Sequence, residues 1–203
     1  ALEKAGISDQ TLVILTSDNG PVVDDGYADQ AVALLGDHQP WGHFRGGKYS
    51  SFEAGTRVPF IVNWPGQVKP GVSDALFSHI DLFASMAKLA QVEYDGQAGI
   101  DSHDFLQTLL GNETKGREYV IEAAGSLAVS DGEWKYIAPS DGPAYNKLTN
   151  TELGNSKEEQ LYCLKEDPGE QVNVAHQYPD KVKAFQAILE REKQTGYKES
   201  WKR

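Results

Sequence analysis

Asp18 and Asn19 stand side by side in the stretch Thr-Leu-Val-Ile-Leu-Thr-Ser-Asp-Asn-Gly-Pro, residues 11–21. A carboxylate next to an amide carbonyl presents hard oxygen donors with one negative charge, a set suited to calcium, or to magnesium, rather than zinc. The same Asp-Asn-Gly-Pro is also the composition of a plain turn after a strand, and spacing alone leaves both readings open. Lys48 follows Arg45-Gly46-Gly47. Glycines there let the backbone approach an anion, and an ammonium is a point charge that settles on an oxyanion without imposing a fork geometry. The P-loop spacing is absent, and a solvated basic turn has the same composition. The five histidines show neither H-x-x-x-H nor H-E-x-x-H spacing. His43, two residues from Arg45, is the one retained as a catalytic candidate. Cys163, in Leu-Tyr-Cys-Leu at alternating spacing, reads as a small buried hydrophobe.

These residues need a scaffold. Thr11–Ser17 is a continuous apolar and β-branched run, the pattern of a strand buried on both faces of a parallel sheet. Asp18 and Asn19 then fall at its carboxyl end, where open α/β sheets leave a crevice for ligands. Residues 22–44 hold Tyr27, His38, Trp41 and His43 in an aperiodic stretch that reads as a functional loop or a missed element. Val58–Trp64 predicts the next strand. The spacing of Ile80, Phe83, Ala84, Ala87 and Leu89 predicts a helix on the sheet with Ser78 as its cap, and Asp101–Leu110 predicts a second. After Gly111 the pattern changes to short strands at Tyr119–Ile121, Leu127–Val129, Trp134–Ile137 and Leu161–Leu164, with Asp131-Gly132 as a hairpin signal. A closing helix is predicted over Pro179–Gln194, with Val182, Phe185, Ile188 and Leu189 on its apolar face. The fold class is therefore α/β: residues 1–111 form an incomplete sheet layer, and residues 112–203 a small antiparallel β meander with a carboxyl-terminal helix.

The chain has 203 residues, 39% hydrophobic and 24% charged, which excludes a disordered tail, and no apolar run is long enough to cross a bilayer as a helix. A net charge of -11 argues against a nucleic-acid partner. It equally requires that any anionic substrate meet a local cation or a bound metal. One cysteine excludes an internal disulfide framework and a multi-thiolate zinc site. Residues 1–7 read as the last turn of a helix stopped at Gly6, so the chain is expected to be the carboxyl part of a longer protein.

Taken together, residues 11–20 and the stretch Arg-Gly-Gly-Lys-Tyr-Ser-Ser-Phe-Glu-Ala-Gly-Thr-Arg-Val-Pro-Phe-Ile-Val-Asn-Trp-Pro-Gly, residues 45–66, closely resemble the carboxyl-side motifs of arylsulfatase-type sulfatases. Residues 79–83, 131–137 and 161–175 are similar to that family too, so the resemblance covers nearly the whole chain. It implies an incomplete sheet layer of the alkaline-phosphatase-like kind and hydrolysis of sulfate esters, above all of sulfated carbohydrates. It also implies calcium held in part by Asp18 and Asn19, and Lys48 on the substrate sulfate. The nucleophile it implies is a formylglycine made from Cys or Ser in a C-x-P-S-R type sequence, and no Cys or Ser here is followed by Pro or Ala at the third place and Arg at the fifth. This stretch alone is therefore expected to be inactive. Its partners are expected to be a sulfated small molecule or glycan and, through uncovered sheet surface, a second copy of itself. The family implies a periplasmic, secreted or lysosomal setting. A phosphodiesterase or phosphomonoesterase of the same superfamily, or a non-catalytic binding module, is the alternative. Asn19 favours the sulfatase, because the phosphoesterases more often pair that Asp with a zinc-binding His.

Overall fold

The computed structural model describes residues 1–95 and 98–196. The elements in chain order begin with α1 (Leu2–Ala5), β1 (Val13–Thr16), α2 (Ala31–Leu34), α3 (Glu53–Thr56), β2 (Phe60–Asn63), α4 (Asp81–Leu89) and α5 (Leu106–Leu109). There follow β3 (Val120–Ala123), β4 (Leu127–Ser130), β5 (Trp134–Ile137), β6 (Tyr145–Asn146), β7 (Thr151–Glu152), β8 (Gln160–Cys163) and α6 (Pro179–Gly196). They gather into two compact units, one of residues 1–16 with 59–120, the other of residues 17–58 with the described residues from 121 on. The architecture is the mixed α/β arrangement read from the sequence, with a meander and a closing helix.

In the first unit Gly6 ends α1 in the left-handed region, at φ 68°, as its position predicts. The partner of β1 departs from expectation. β1 pairs with β2 in an antiparallel ladder, Val13 opposite Asn63 and Thr16 opposite Phe60, not in a parallel sheet. An apolar β-branched run signals a strand but carries no information on the direction of its neighbour. Nor is the strand buried on both faces: Leu15 and Ile61, directly opposite one another, are 56% and 57% exposed, because a two-stranded ladder leaves its faces uncovered.

Asp81 organises the rest of this unit. Its buried carboxylate accepts the backbone N–H groups of Ser78 at 3.1 Å and His103 at 2.9 Å, and takes the guanidinium fork of Arg117 at 2.7 and 2.5 Å. Ser78 is thus bound by the first turn of α4 and does not cap it with its own side chain. Ile80 and Phe83 are 49% and 45% exposed, and burial in α4 falls on Asp81, Ala84 and Ser85 instead. α5 is shorter than the predicted second helix for a related reason. Asp81, Ser85 and Asp104 take the N–H groups of His103, Phe105 and Leu106, so side-chain acceptors replace the helical ones over its first turn.

The second unit is built on the sheet β3-β4-β5-β8. Its β4–β5 hairpin pairs Ala128 with Ile137 and Ser130 with Lys135, and Asp131 closes the turn by accepting the N–H groups of Glu133 and Trp134 at 3.0 and 2.7 Å. β8 continues the ladder, Trp134 opposite Cys163 and Ile137 opposite Gln160. α6 buries Val182, Phe185 and Leu189, with the Phe185 ring stacked on Tyr136. Each such side chain contributes roughly 1.5–3 kcal/mol of burial. Phe52, Ala128, Ile137, Tyr162 and Leu164 form the other core, so residue 52, only four places after Lys48, is packed on the meander. The ribbon β6–β7 lies in the polar interval that carries no periodic signal. Cys163 is a free thiol and half-buried, not fully enclosed, since it ends the last strand of the sheet.

Candidate functional site

All four candidate residues, Asp18, Asn19, His43 and Lys48, belong to the second unit. Two backbone hydrogen bonds join the turn after β1 to the strap that carries Lys48. Gly20 N–H donates to the Gly55 carbonyl at 2.9 Å, and Lys48 N–H donates to the Pro21 carbonyl at 2.9 Å. The approach is too close for any side chain: a Cβ on Gly20 would lie 1.6 Å from the Ala54 carbonyl oxygen, and one on Gly55 would lie 2.1 Å from that of Ser50. The glycines of the two sequence stretches are therefore what let the stretches meet.

Within the turn, Ser17 Oγ donates to the Asn19 carbonyl and Asn19 Nδ2 to the Gly20 carbonyl, both at 2.9 Å. The Asn19 amide is thereby oriented, and among the described residues its side-chain oxygen makes no hydrogen bond. Asp18 is exposed, and among the described residues its carboxylate has no hydrogen bond or ion pair. Two unspent hard oxygens and one negative charge fit part of a calcium shell, which needs six to eight oxygens in general. Among the described residues no group of three or more His, Cys, Asp or Glu is arranged to hold a metal, so this pair would supply a share of the ligands and not the set.

Lys48 is half-buried and its Nζ lies 2.9 Å from Asp25 Oδ2, while Tyr49 Oη donates to Asp25 Oδ1 at 3.0 Å. Hydrogen bonding from Lys48 and then Tyr49 holds the Asp25 carboxyl below its usual range, and the same bond to Asp25 raises the Lys48 ammonium. Tyr49 adopts φ 78°, a strained backbone for a residue with a side chain. His43 is exposed, with its ring centroid 4.3 Å from that of Phe44. Among the described residues it makes no hydrogen bond or ion pair, so nothing in the geometry joins it to Lys48.

The strap is bolted down on both sides of Lys48. Arg45 makes a two-point contact with Glu152 at 2.7 and 2.5 Å, donates to the Glu170 carbonyl at 2.5 Å, and lies over the Phe52 ring at 4.0 Å. Burial opposes the Arg45 charge, and Glu152, Tyr162 and Glu170 together outweigh it and raise the group. On the other side, Glu53 reaches Lys135 at 3.0 Å and Arg57 at 3.1 Å, and Lys135 also reaches Glu122 at 2.6 Å. Burial disfavours the charge on Lys135, yet Glu122 and Glu53 raise it overall; burial likewise works on Glu53, and Lys135 with Arg57 lowers it. Glu170, also buried, accepts the Glu53 N–H at 2.7 Å through Oε2, and its Oε1 has no hydrogen-bond partner among the described residues. Burial pushes its carboxyl up to about 8, against the pull of Lys135.

Asp25, the Arg45–Glu152 fork and the Lys135 cluster are not apparent from motif spacing. They join residues 23, 107 and 82 positions apart, beyond the reach of any helical or strand period. The one available signal was that Arg45 and Glu53 bracket Lys48 within the distinctive stretch 45–66.

The family model described as Sulfatase matches residues 1–92. An N-acetylgalactosamine-6-O-sulfatase of Bacteroides thetaiotaomicron is 50% identical over 191 residues, 93% of this chain and 37% of that protein. Human arylsulfatase A is 30% identical over 206 residues, 93% of this chain and 39% of its own length. The chain thus spans less than two fifths of each of these relatives. A solved structure from work on glycosaminoglycan metabolism by Bacteroides thetaiotaomicron superposes with a TM-score of 0.91 at 50% identity, over 95% of this chain and 41% of the other. The PsFucS1 sulfatase of Pseudoalteromonas superposes at 0.68 with 25% identity, over 95% and 39%.

Proposed function

Because the chain belongs to the sulfatase family, as a carboxyl-side region of it, we propose that the intact protein hydrolyses a sulfate ester of a sulfated carbohydrate. The name of the 50% identical relative points further, to a 6-O-sulfated N-acetylgalactosamine. The observation that carries the reading is the pair of backbone bonds, Gly20 to Gly55 and Lys48 to Pro21, which holds the Asp18–Asn19 turn against the Lys48 strap. A cation site and an oxyanion-binding ammonium held on the same framework suit a substrate that is itself an anion in a chain of net charge -11.

In this reading Lys48 binds and orients the sulfate, offering N–H donors to its oxygens. Asp18 contributes the ionised carboxylate and Asn19 the amide oxygen of a calcium shell completed by residues outside this sequence. Calcium, when bound, supplies Lewis-acid polarisation of the ester oxygens. The family implies a formylglycine nucleophile, and the sequence motif that would generate it does not occur among these residues. The stretch by itself therefore binds part of the site without turning substrate over. His43 takes no part in the proposal. A periplasmic, secreted or lysosomal setting fits sulfated glycans, which are extracellular or degraded as such.

The test is turnover of 6-O-sulfated N-acetylgalactosamine by the intact, calcium-loaded enzyme. Lys48→Ala is expected to lower kcat/KM by about 10²–10³-fold, the scale of losing one oxyanion donor. Asp18→Ala is expected to weaken calcium binding in isothermal titration. Undiminished turnover with Lys48→Ala would overturn the assignment.

A further inference from the structure

Between residues 17 and 58 the chain carries three basic side chains, Arg45, Lys48 and Arg57, against six acidic ones. Arg45 is spent on Glu152 and the Glu170 carbonyl, and Arg57 on Glu53. Lys48 is the remaining one, and its ammonium is matched by the carboxylate of Asp25 at 2.9 Å. Asp25 is held at both ends. One oxygen faces Lys48, the other takes the Tyr49 hydroxyl at 3.0 Å, and Tyr49 is set by its left-handed backbone at φ 78°. The carboxylate is therefore a fixed part of the oxyanion site as built, and the Tyr49 hydroxyl is committed to it.

We propose that Asp25 is a specificity-determining residue of that site, cancelling the charge of Lys48 so that monoanionic sulfate esters are favoured over dianionic phosphate monoesters. The proposal rests on Lys48 being the sulfate-binding residue. An ammonium has three donors, and with one on Asp25 two remain for an incoming oxygen, so directional bonding to sulfate persists. What Asp25 removes is the non-directional attraction. Coulomb energy scales with the product of the charges, so cancelling one unit of positive charge costs a dianion twice what it costs a monoanion. A phosphate monoester has its second pKa near 6 and is a dianion above neutral pH. A sulfate ester keeps a single charge. The net acidity of residues 17–58 acts in the same direction.

The experiment measures dissociation constants of 4-nitrophenyl sulfate and 4-nitrophenyl phosphate at pH 8 on the intact, calcium-loaded enzyme. It compares the wild type with Asp25→Asn, Asp25→Ser and Lys48→Ala. Both Asp25 variants are expected to tighten the sulfate ester about threefold and the phosphate ester about tenfold, the second factor being the square of the first. An unchanged ratio, a ratio moving the other way, or a shift in one Asp25 variant alone overturns the proposal. Lys48→Ala separates the two readings. If it abolishes binding of both esters while the Asp25 variants leave their ratio unchanged, the role of Asp25 alone falls. If it leaves binding of both untouched, the assignment of Lys48 falls and this proposal with it.

Discussion

Lys135 Nζ lies 3.0 Å from Glu53 Oε1, with the lysine wholly shielded from solvent and the glutamate nearly so. The pair joins β5 to the helical turn that closes the Lys48 strap. Removing the ammonium leaves the buried Glu53 with Arg57 alone and takes from the half-buried Glu122 its Lys135 contact. Lys135→Met is therefore expected to destabilise the second unit by roughly 3–5 kcal/mol. Urea denaturation followed by tryptophan fluorescence measures it, through Trp134 in β5. A loss under about 1 kcal/mol, the scale of an exposed pair, would show the cluster to be open to water.

Glu170 gives stability a pH dependence of defined sign. Its carboxyl stands at about 8 in the fold against 4.5 when exposed, because burial disfavours its charge. The folded state holds this proton more tightly, so the contribution is complete below 4.5, declines as pH rises through the interval, and is gone above 8. The loss is on the order of 3–5 kcal/mol across that window. Glu170→Gln is expected to flatten the curve and to stabilise the protein most at alkaline pH. Urea midpoints taken between pH 4.5 and 9 on both proteins decide it, and parallel curves would contradict the buried neutral carboxyl.

Gly20→Ala tests the closeness of the turn to the strap. The new methyl would meet the Ala54 carbonyl at 1.6 Å, and both are backbone positions that cannot swing aside. Overpacking of this kind costs about 1–3 kcal/mol. Calcium affinity is expected to fall along with thermal stability, since Asn19 is adjacent. Loss of stability with calcium affinity intact would separate the turn from the metal.

The β1–β2 ladder exposes Leu15 and Ile61 as a cross-strand pair, and association of the chain expressed by itself is expected to cover this apolar surface. Light scattering is expected to show dimers or larger species at micromolar concentration. Leu15→Lys with Ile61→Glu should return the chain to a monomer. A monodisperse monomer without substitution would sink the idea.

What was legible in the sequence is what lies in contiguous segments. The Asp18–Asn19 turn, the Lys48 strap, the Asp131-Gly132 hairpin and the apolar face of α6 each announce themselves within about twenty residues, by turn chemistry or period. Three kinds of information were not local. Strand direction at β1 depends on which segment pairs with it, and the run Thr11–Ser17 is silent on that. The shortened α5 depends on Asp81 and Ser85, acceptors some twenty residues upstream that take over its N–H groups. Asp25 looks like any other acid in a polar loop until folding sets it against Lys48. β6 and β7, two residues each, are too short for alternation to appear.

Because Glu53 is tied to Lys135 and Glu170, the strap that carries Lys48 rests on a foundation laid more than eighty residues later in the chain. During synthesis the strap would emerge from the ribosome well before the residues that brace it. The strap thus acquires its bracing only after β5 and the segment holding Glu170 have been made, and a chain halted before them would carry the motif without its support.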